Sequence, residues 1–223
     1  MNKDPYPDIV CPGRKKECSA LHELEELRRE CLRLRELTRR DSLTGFFNFR
    51  YLLEALGVEM ERTRRTGLPT GLIMKDLDHF KHINDRYGHE TGNKALKWCT
   101  QIWRNNIRRI DIPCRYGGEE FAIILPSTRL AQAVRAAERL REAIASAPLR
   151  INELRVNITA SFGVDVYTAK EVLEPKEFIS RADGFLLNAK EMGRNCVRYP
   201  GEGVEPASTE LTQEEREALF SKK

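Results

Sequence analysis

One stretch limits the possible folds more than any other: Arg115-Tyr116-Gly117-Gly118-Glu119-Glu120-Phe121, preceded by Ile112-Pro113-Cys114 and followed by Ala122-Ile123-Ile124-Leu125. An apolar run, a glycine pair and a second apolar run predict a β-hairpin. The glycines turn the backbone sharply and leave room for a bulky ligand to lie against it. Two adjacent carboxylates stand at the tip, where the backbone fixes them, a suitable way to hold hard cations for phosphate chemistry. A second acidic stretch points the same way. The largely apolar run Thr70 to Met74 leads into Lys75-Asp76-Leu77-Asp78-His79-Phe80-Lys81. A buried strand ending in Asp-x-Asp delivers a carboxylate to a metal at the strand end. Asp76 and Glu119 converge if the two strands are neighbours.

The remaining elements follow from periodicity. Phe46 to Arg65 reads as a long amphipathic helix ending near Gly67, with Asp41 as a candidate cap, and Gly71 to Lys75 as the first core strand. Asn93 to Ile107 is helical, its apolar face including Trp98 and Trp103, which read as core. After the hairpin come a helix from Thr128 to Ser146 and a strand from Arg155 to Val166, with Gly163 as a bulge or close-approach point. A helix from Pro175 to Met192 and a strand from Cys196 to Tyr199 close the domain. The order is βαββαβ with added helices, an α+β, ferredoxin-like core. Residues 1–16 carry three prolines and a glycine and read as irregular; residues 201–223 form a polar tail with a possible short helix from Thr212 to Phe220.

Before the domain, residues 17–40 are helical and highly charged. Ala20, Leu24, Leu27, Cys31, Leu34 and Thr38 fall at alternating four- and three-residue spacing. Either this helix packs on its own domain or it forms a parallel coiled-coil dimer; the Glu- and Arg-rich flanks favour the dimer. Cys11, Cys18, His22 and Cys31 fit no standard zinc spacing, and six scattered cysteines in a domain of this size read as reduced thiols. The net charge of +4 is too mild to argue for nucleic acid. No apolar run approaches the ~20 residues of a membrane span and the N-terminus lacks a signal-peptide core, so a cytoplasmic protein is expected.

Taken together, Asp41-Ser42-Leu43-Thr44-Gly45, the run from Asp76 to Asn93, the Gly-Gly-Glu-Glu-Phe hairpin and Gly193-Arg194-Asn195 resemble the GGDEF family, the diguanylate cyclases. The resemblance covers roughly residues 40–198 and places a palm-type cyclase domain at 41–200. It implies condensation of two GTP molecules into cyclic di-GMP with loss of two pyrophosphates, in a homodimer because each domain holds one GTP. It implies two Mg²⁺ (or Mn²⁺) per active site, with Asp76, the Leu77 carbonyl, Glu119 and Glu120 as metal ligands. Glu119, Glu120 and Lys81 are then the catalytic candidates, Glu119 as proton acceptor. Lys81, Lys190 and Arg194 match the phosphate contacts; Lys190 and Arg194 share a helical face if the last helix reaches that far. Asn84, His89 and Asn93 match the guanine contacts. Arg108 and Asp111 match an inhibitory site for the product.

Two positions depart from the family. It usually has Asp where this chain has Asn93. A carboxylate accepts from both guanine N1–H and the 2-amino group, whereas an amide offers one acceptor and one donor group. A mismatch costs about 1–3 kcal/mol, so either guanine selection relaxes and cyclic GMP-AMP is also made, or Asn93 rotates or uses a water and guanine stays preferred; the second is favoured. Lys75 replaces an apolar residue; it points away from Asp76 and is expected to snorkel to the surface. The role of Asp78 stays open. Against the active cyclase stand a silent sensor that binds cyclic di-GMP through Arg108 and Asp111, and an interaction protein acting through its coiled coil. Both metal acids are present, which favours the enzyme.

Overall fold

The computed structural model describes residues 19–37, 39–151 and 154–201. The proposed irregular segment, Cys11, Cys18, Thr38 and the helix expected from Thr212 to Phe220 lie outside the described residues. Among these, the chain runs α1 (Ser19–Leu37), α2 (Phe49–Thr66), β1 (Thr70–Leu77), α3 (Phe80–Asn105), β2 (Ile112–Arg115), β3 (Glu120–Leu125), α4 (Leu130–Ala145), β4 (Leu149–Ile151), β5 (Leu154–Val156), β6 (Ala160–Tyr167), α5 (Pro175–Glu191) and β7 (Val197–Arg198). Five strands form one sheet in the order β2-β3-β1-β6-β7; β4 and β5 pair separately. Strands β2, β3, β1 and β6 are antiparallel neighbours, the ferredoxin-like arrangement, and β7 adds in parallel beside β6.

All eight residues of β1 are buried because helices cover both faces of the sheet. On one face Ile73, Leu77, Ile123 and Phe162 pack with Leu96 and Trp103 of α3 and Leu140 and Ile144 of α4. On the other Leu72, Met74 and Ile124 pack with Leu52 and Leu56 of α2 and Phe178 and Leu186 of α5. The alternation of β1 therefore turns Lys75 toward α3 and α4, and Asp76 toward α2 and α5. Gly163 is a close-approach point: a Cβ there would stand 2.2 Å from the Ala182 carbonyl oxygen and 2.3 Å from the Leu186 nitrogen, so α5 rests directly on β6.

Several elements differ from the expected ones. Helix α2 starts three residues late, capped by Asn48, whose side chain accepts from the Tyr51 N–H; Gly67 ends it at φ 74°. Asp41 is not its cap. Its carboxylate accepts from Thr44 and Arg115 instead. Phe46, expected inside the helix, is buried edge-on to Phe121, and Phe47 covers the free edge of β2 by hydrogen bonds to Pro113 and Arg115. Helix α3 begins at Phe80, well before Asn93, and bends at Gly88 (φ 81°, ψ 157°). The strand expected from Arg155 to Val166 is broken at residues 157–159. Pairing of β1 ends at Leu77 with Ala160, so earlier residues have no ladder to join and turn into the β4–β5 hairpin.

Lys75 points away from Asp76, as alternation requires, but does not reach solvent. It is fully buried, its Nζ 3.4 Å from the Trp103 ring centroid and 5.9 Å from those of Phe46 and Phe121. Helix and loop close over it, leaving no path for the side chain to snorkel along. Burial holds its amine well below the ordinary lysine range.

Candidate active site

The register of β1 on β3 sets Asp76 opposite Glu120, and the Leu77 N–H reaches the Glu119 carbonyl at 3.4 Å. The two acidic stretches singled out in the sequence are therefore neighbours. Glu119 belongs to the turn and Glu120 opens β3. The turn is held from within. Tyr116 and Gly117 N–H groups donate to the Glu120 carbonyl. The Arg115 guanidinium donates to the Gly117 and Gly118 carbonyls and, at 3.0 and 3.1 Å, to both Asp41 oxygens. Arg115 thus ties the hairpin tip to the loop preceding α2, a role that its sequence setting does not advertise. Neither turn glycine has a positive φ. A Cβ at Gly117 would lie 2.6 Å from Glu120 Oε2 and so shift that carboxylate, and Gly118 faces open space where a ligand can lie.

Across from the hairpin, Lys190 of α5 pairs with Asp76, Nζ to Oδ2 at 2.9 Å. Burial pushes the Asp76 carboxyl up to about 6; Lys190 opposes the shift and the charges of Glu119 and Glu120 add to it. Asp76 thus feels the charges of Glu119 and Glu120 as well as that of its lysine, an excess of negative charge that a cation would relieve, and hard oxygen donors suit Mg²⁺ or Mn²⁺. Among the described residues, no three His, Cys, Asp or Glu side chains are gathered closely enough to hold an ion alone. That agrees with the usual habit of Mg²⁺, which takes one or two carboxylates together with substrate phosphates. The residues fit the group.

Asp78, whose role the sequence left open, is structural. Its buried carboxylate accepts from Thr159 Oγ1 (2.7 Å), Ser161 Oγ (2.6 Å) and the Asn195 N–H (3.0 Å). It joins the end of β1 to the start of β6 and to the loop after α5. That loop carries Arg194. Helix α5 stops at Glu191, and Gly193, Arg194 and Asn195 all have positive φ (108°, 65° and 45°). The last helix does not reach Arg194, so the condition for a helical face shared with Lys190 is not met; Arg194 projects, exposed, from a left-handed turn.

The bend at Gly88 folds the first turns of α3 so that Asn84 lies against Gly92: a Cβ at 92 would stand 1.9 Å from Asn84 Oδ1. Asn84 and Asn93 are thereby brought to one corner, with His89 and Lys81 exposed on the same helix. Arg108 and Asp111 are elsewhere. The pairing of Ile112 with Ile124, and of Ile124 with Leu72, puts their turn at the opposite end of β1 from Asp76. Asp111 is buried; its Oδ2 accepts from the Arg108 N–H at 2.8 Å and its Oδ1 has no partner, while the Arg108 side chain is exposed. His22 and Cys31 are exposed on α1, with His22 beside Glu26. Cys99 and Cys114 are buried free thiols.

The model of the family described as "Diguanylate cyclase, GGDEF domain" matches residues 38–196. The chain is 42% identical over 164 residues to the response regulator PleD of Caulobacter vibrioides, covering 73% of this chain and 36% of PleD. It is 40% identical over 155 residues to the diguanylate cyclase DgcP of Pseudomonas aeruginosa, covering 70% and 23%. The chain thus spans about a third or less of these relatives. Among solved structures, the coiled coil and GGDEF domain of Caulobacter crescentus DgcB in complex with c-di-GMP superimposes with a TM-score of 0.72 at 27% identity, covering 81% of this chain and 95% of that one. The diguanylate cyclase SiaD of P. aeruginosa, solved with its activator SiaC, gives 0.70 at 36% identity, covering 81% and 68%.

Proposed function

The chain belongs to the GGDEF family of diguanylate cyclases, and on that premise we propose that it condenses two GTP molecules into cyclic di-GMP and two pyrophosphates. The observation that carries the reading is the meeting of Asp76, at the end of β1, with the Glu119–Glu120 hairpin. Cyclases of this family depend on a divalent metal. When bound, Mg²⁺ or Mn²⁺ neutralises phosphate charge and lowers the pKa of the attacking 3′-hydroxyl; Asp76, the Leu77 carbonyl, Glu119 and Glu120 are the groups that would hold two ions.

The protein's own groups supply the rest. Glu119, at the open tip, accepts the 3′-hydroxyl proton. Lys81 and Arg194 bind phosphate oxygens as charged donors. Lys190 joins them by turning from Asp76 to the triphosphate. The backbone beside Gly118 leaves the nucleotide room to approach. Asn84, His89 and Asn93 line the base corner, with guanine preferred. Each domain presents one nucleotide, so two copies must face one another and the gain is one of proximity. Arg108 and Asp111 form the product site, with the exposed Arg108 guanidinium as the group that meets the product. Among the described residues no helix is long and apolar enough to cross a membrane.

Turnover of GTP with Mg²⁺ by the parent protein and by Glu119→Gln tests this. Cyclic di-GMP from the parent and none from the variant is expected. No product at concentrations that force dimers would overturn the enzyme in favour of a sensor, which tight cyclic di-GMP binding lost in Arg108→Ala would then identify.

A further inference from the structure

Positive charge gathers without opposition at the β4–β5 hairpin. Leu149 and Val156 pair with their side chains buried in the core, so the next pair in the ladder, Arg150 and Arg155, faces outward, and both residues are exposed. Like charges set directly opposite across a ladder work against the hairpin that carries them. Arg155 also walls a cavity of about 560 Å³ between the hairpin and the first turns of α3. Arg86 lines the same cavity, its guanidinium carbon 5.2 Å from the Tyr87 ring centroid. Among the described residues, no carboxylate pairs with Arg86, Arg150 or Arg155. His79 and His82 also line the space, with ring centroids 5.8 Å apart. Two acids border it. Asp78 is already filled by Thr159, Ser161 and Asn195, which leaves Asp85 alone against three guanidinium groups.

These donors fit one kind of ligand. Guanidinium forks match phosphate oxygens two at a time. Each imidazole offers an N–H in either charge state, and Asn157 adds an amide on the hairpin side. We propose that this cavity is a second anion site, which takes a multiply charged phosphate: pyrophosphate, or the phosphates of a nucleotide. It is separate from the site described above. Its lining includes Asp78 but not Asp76, Glu119, Lys190 or Arg194. On a helix, residues two apart lie about 160° round the axis from one another, so His82 and Arg86 stand on the side of α3 away from Asn84. A phosphate held between Arg86 and Arg155 offsets the repulsion of Arg150 and Arg155 and ties the hairpin to α3. None of this depends on the cyclase reading.

Binding here is told apart from binding at the active site by working without metal and in Lys190→Ala/Arg194→Ala. The full chain carrying those two changes, in a chelator and at fixed ionic strength, is titrated calorimetrically with inorganic pyrophosphate, with ATP and with sulfate. Pyrophosphate is expected to bind. Adding Arg86→Ser/Arg155→Ser should weaken it at least about tenfold, the worth of one charge-assisted hydrogen bond, and adding Arg155→Lys alone, which keeps the charge, should weaken it less. Both arginines are exposed, so the fold does not depend on them. Thermal melting gives a second reading: pyrophosphate should raise the melting temperature of the reference protein and not that of the chain lacking both arginines. No binding of pyrophosphate, binding unchanged by the loss of both arginines, or sulfate bound as tightly as pyrophosphate overturns the proposal. ATP bound more tightly than pyrophosphate assigns the cavity to a nucleotide, and ATP bound equally or less tightly assigns it to the free polyphosphate; either result upholds the site. Turnover of GTP by the unaltered chain decides the cyclase reading, so the two fail separately.

Discussion

At the scale of single residues, the chemistry of this domain depends on atoms that sequence patterns do not display. Asn84 lies against Gly92, which has no Cβ to displace it, and on the proposed reading that place is the base corner. Gly92→Ala is expected to leave stability within about 1 kcal/mol of the parent, since alanine favours a helix by about that amount. It should nevertheless push Asn84 aside and raise the KM for GTP about tenfold, the worth of one hydrogen bond, with a smaller change in kcat. An unchanged KM would remove Asn84 from the base site. Lys75 was legible only as the residue facing away from Asp76. Its burial depends on Phe46, Trp103 and Phe121, which arrive from three separate elements, so no local pattern announces it. Its Nζ has no hydrogen-bond partner, and the cation–π contact with Trp103 offsets only part of the desolvation. Lys75→Met is expected to stabilise the protein by about 1–3 kcal/mol at neutral pH. The sign of the pH effect follows. Between the depressed folded value and the unfolded value of about 10.4, the unfolded chain binds the extra proton, so stability rises with pH. Urea unfolding in a chelator, from neutral to about pH 9, should show that rise in the parent and a smaller one in the variant. A destabilised variant would mean that the aromatic box outweighs the buried charge.

At the scale of elements, the hairpin, β1 and α5 could be read from sequence because their apolar periods are uninterrupted and their ends carry glycine or proline. What escaped was set by partners far along the chain. The first half of α3 is polar and broken by Gly88, so its helicity shows no stripe. The strand before β6 ends where β1 stops offering hydrogen bonds, which only the register reveals. The meeting of the two acidic stretches was legible because each adjoins an apolar strand. The path of Arg194 was not, because the left-handed turn that carries it is fixed through Asp78 as well as by the Arg194 N–H on the Ala189 carbonyl of α5. Removing that tie tests its importance. Asp78→Ala leaves the donors of Thr159, Ser161 and Asn195 unmatched and should cost about 3 kcal/mol. Turnover measured well below the unfolding temperature should fall as well, because the Arg194 loop loses its anchor, whereas Asp78→Asn, which keeps one acceptor oxygen, should retain more of both. Full turnover in a destabilised Asp78→Ala would separate Arg194 from phosphate binding.

At the scale of the whole molecule, the proposed condensation gives each domain one nucleotide and half of the reacting groups, so on that reading the rate comes from whatever brings two copies together. The domain's own surface and the α1 stripe are candidates for that task, and they can be told apart because Leu24, Leu27 and Leu34 of α1 lie outside the core. Leu27 and Leu34 are exposed, so Leu27→Glu/Leu34→Glu should change thermal stability by no more than about 0.5 kcal/mol. If α1 supplies the encounter, the variant's specific activity should fall steeply at low protein concentration and recover toward that of the parent as concentration rises, because the chemical groups are untouched and only the association is weakened. The order of the rate in protein should approach two for the variant over a range where the parent is closer to one. Equal activity at every concentration would show that the two domains meet through their own surfaces, and that α1 serves another purpose than apposition.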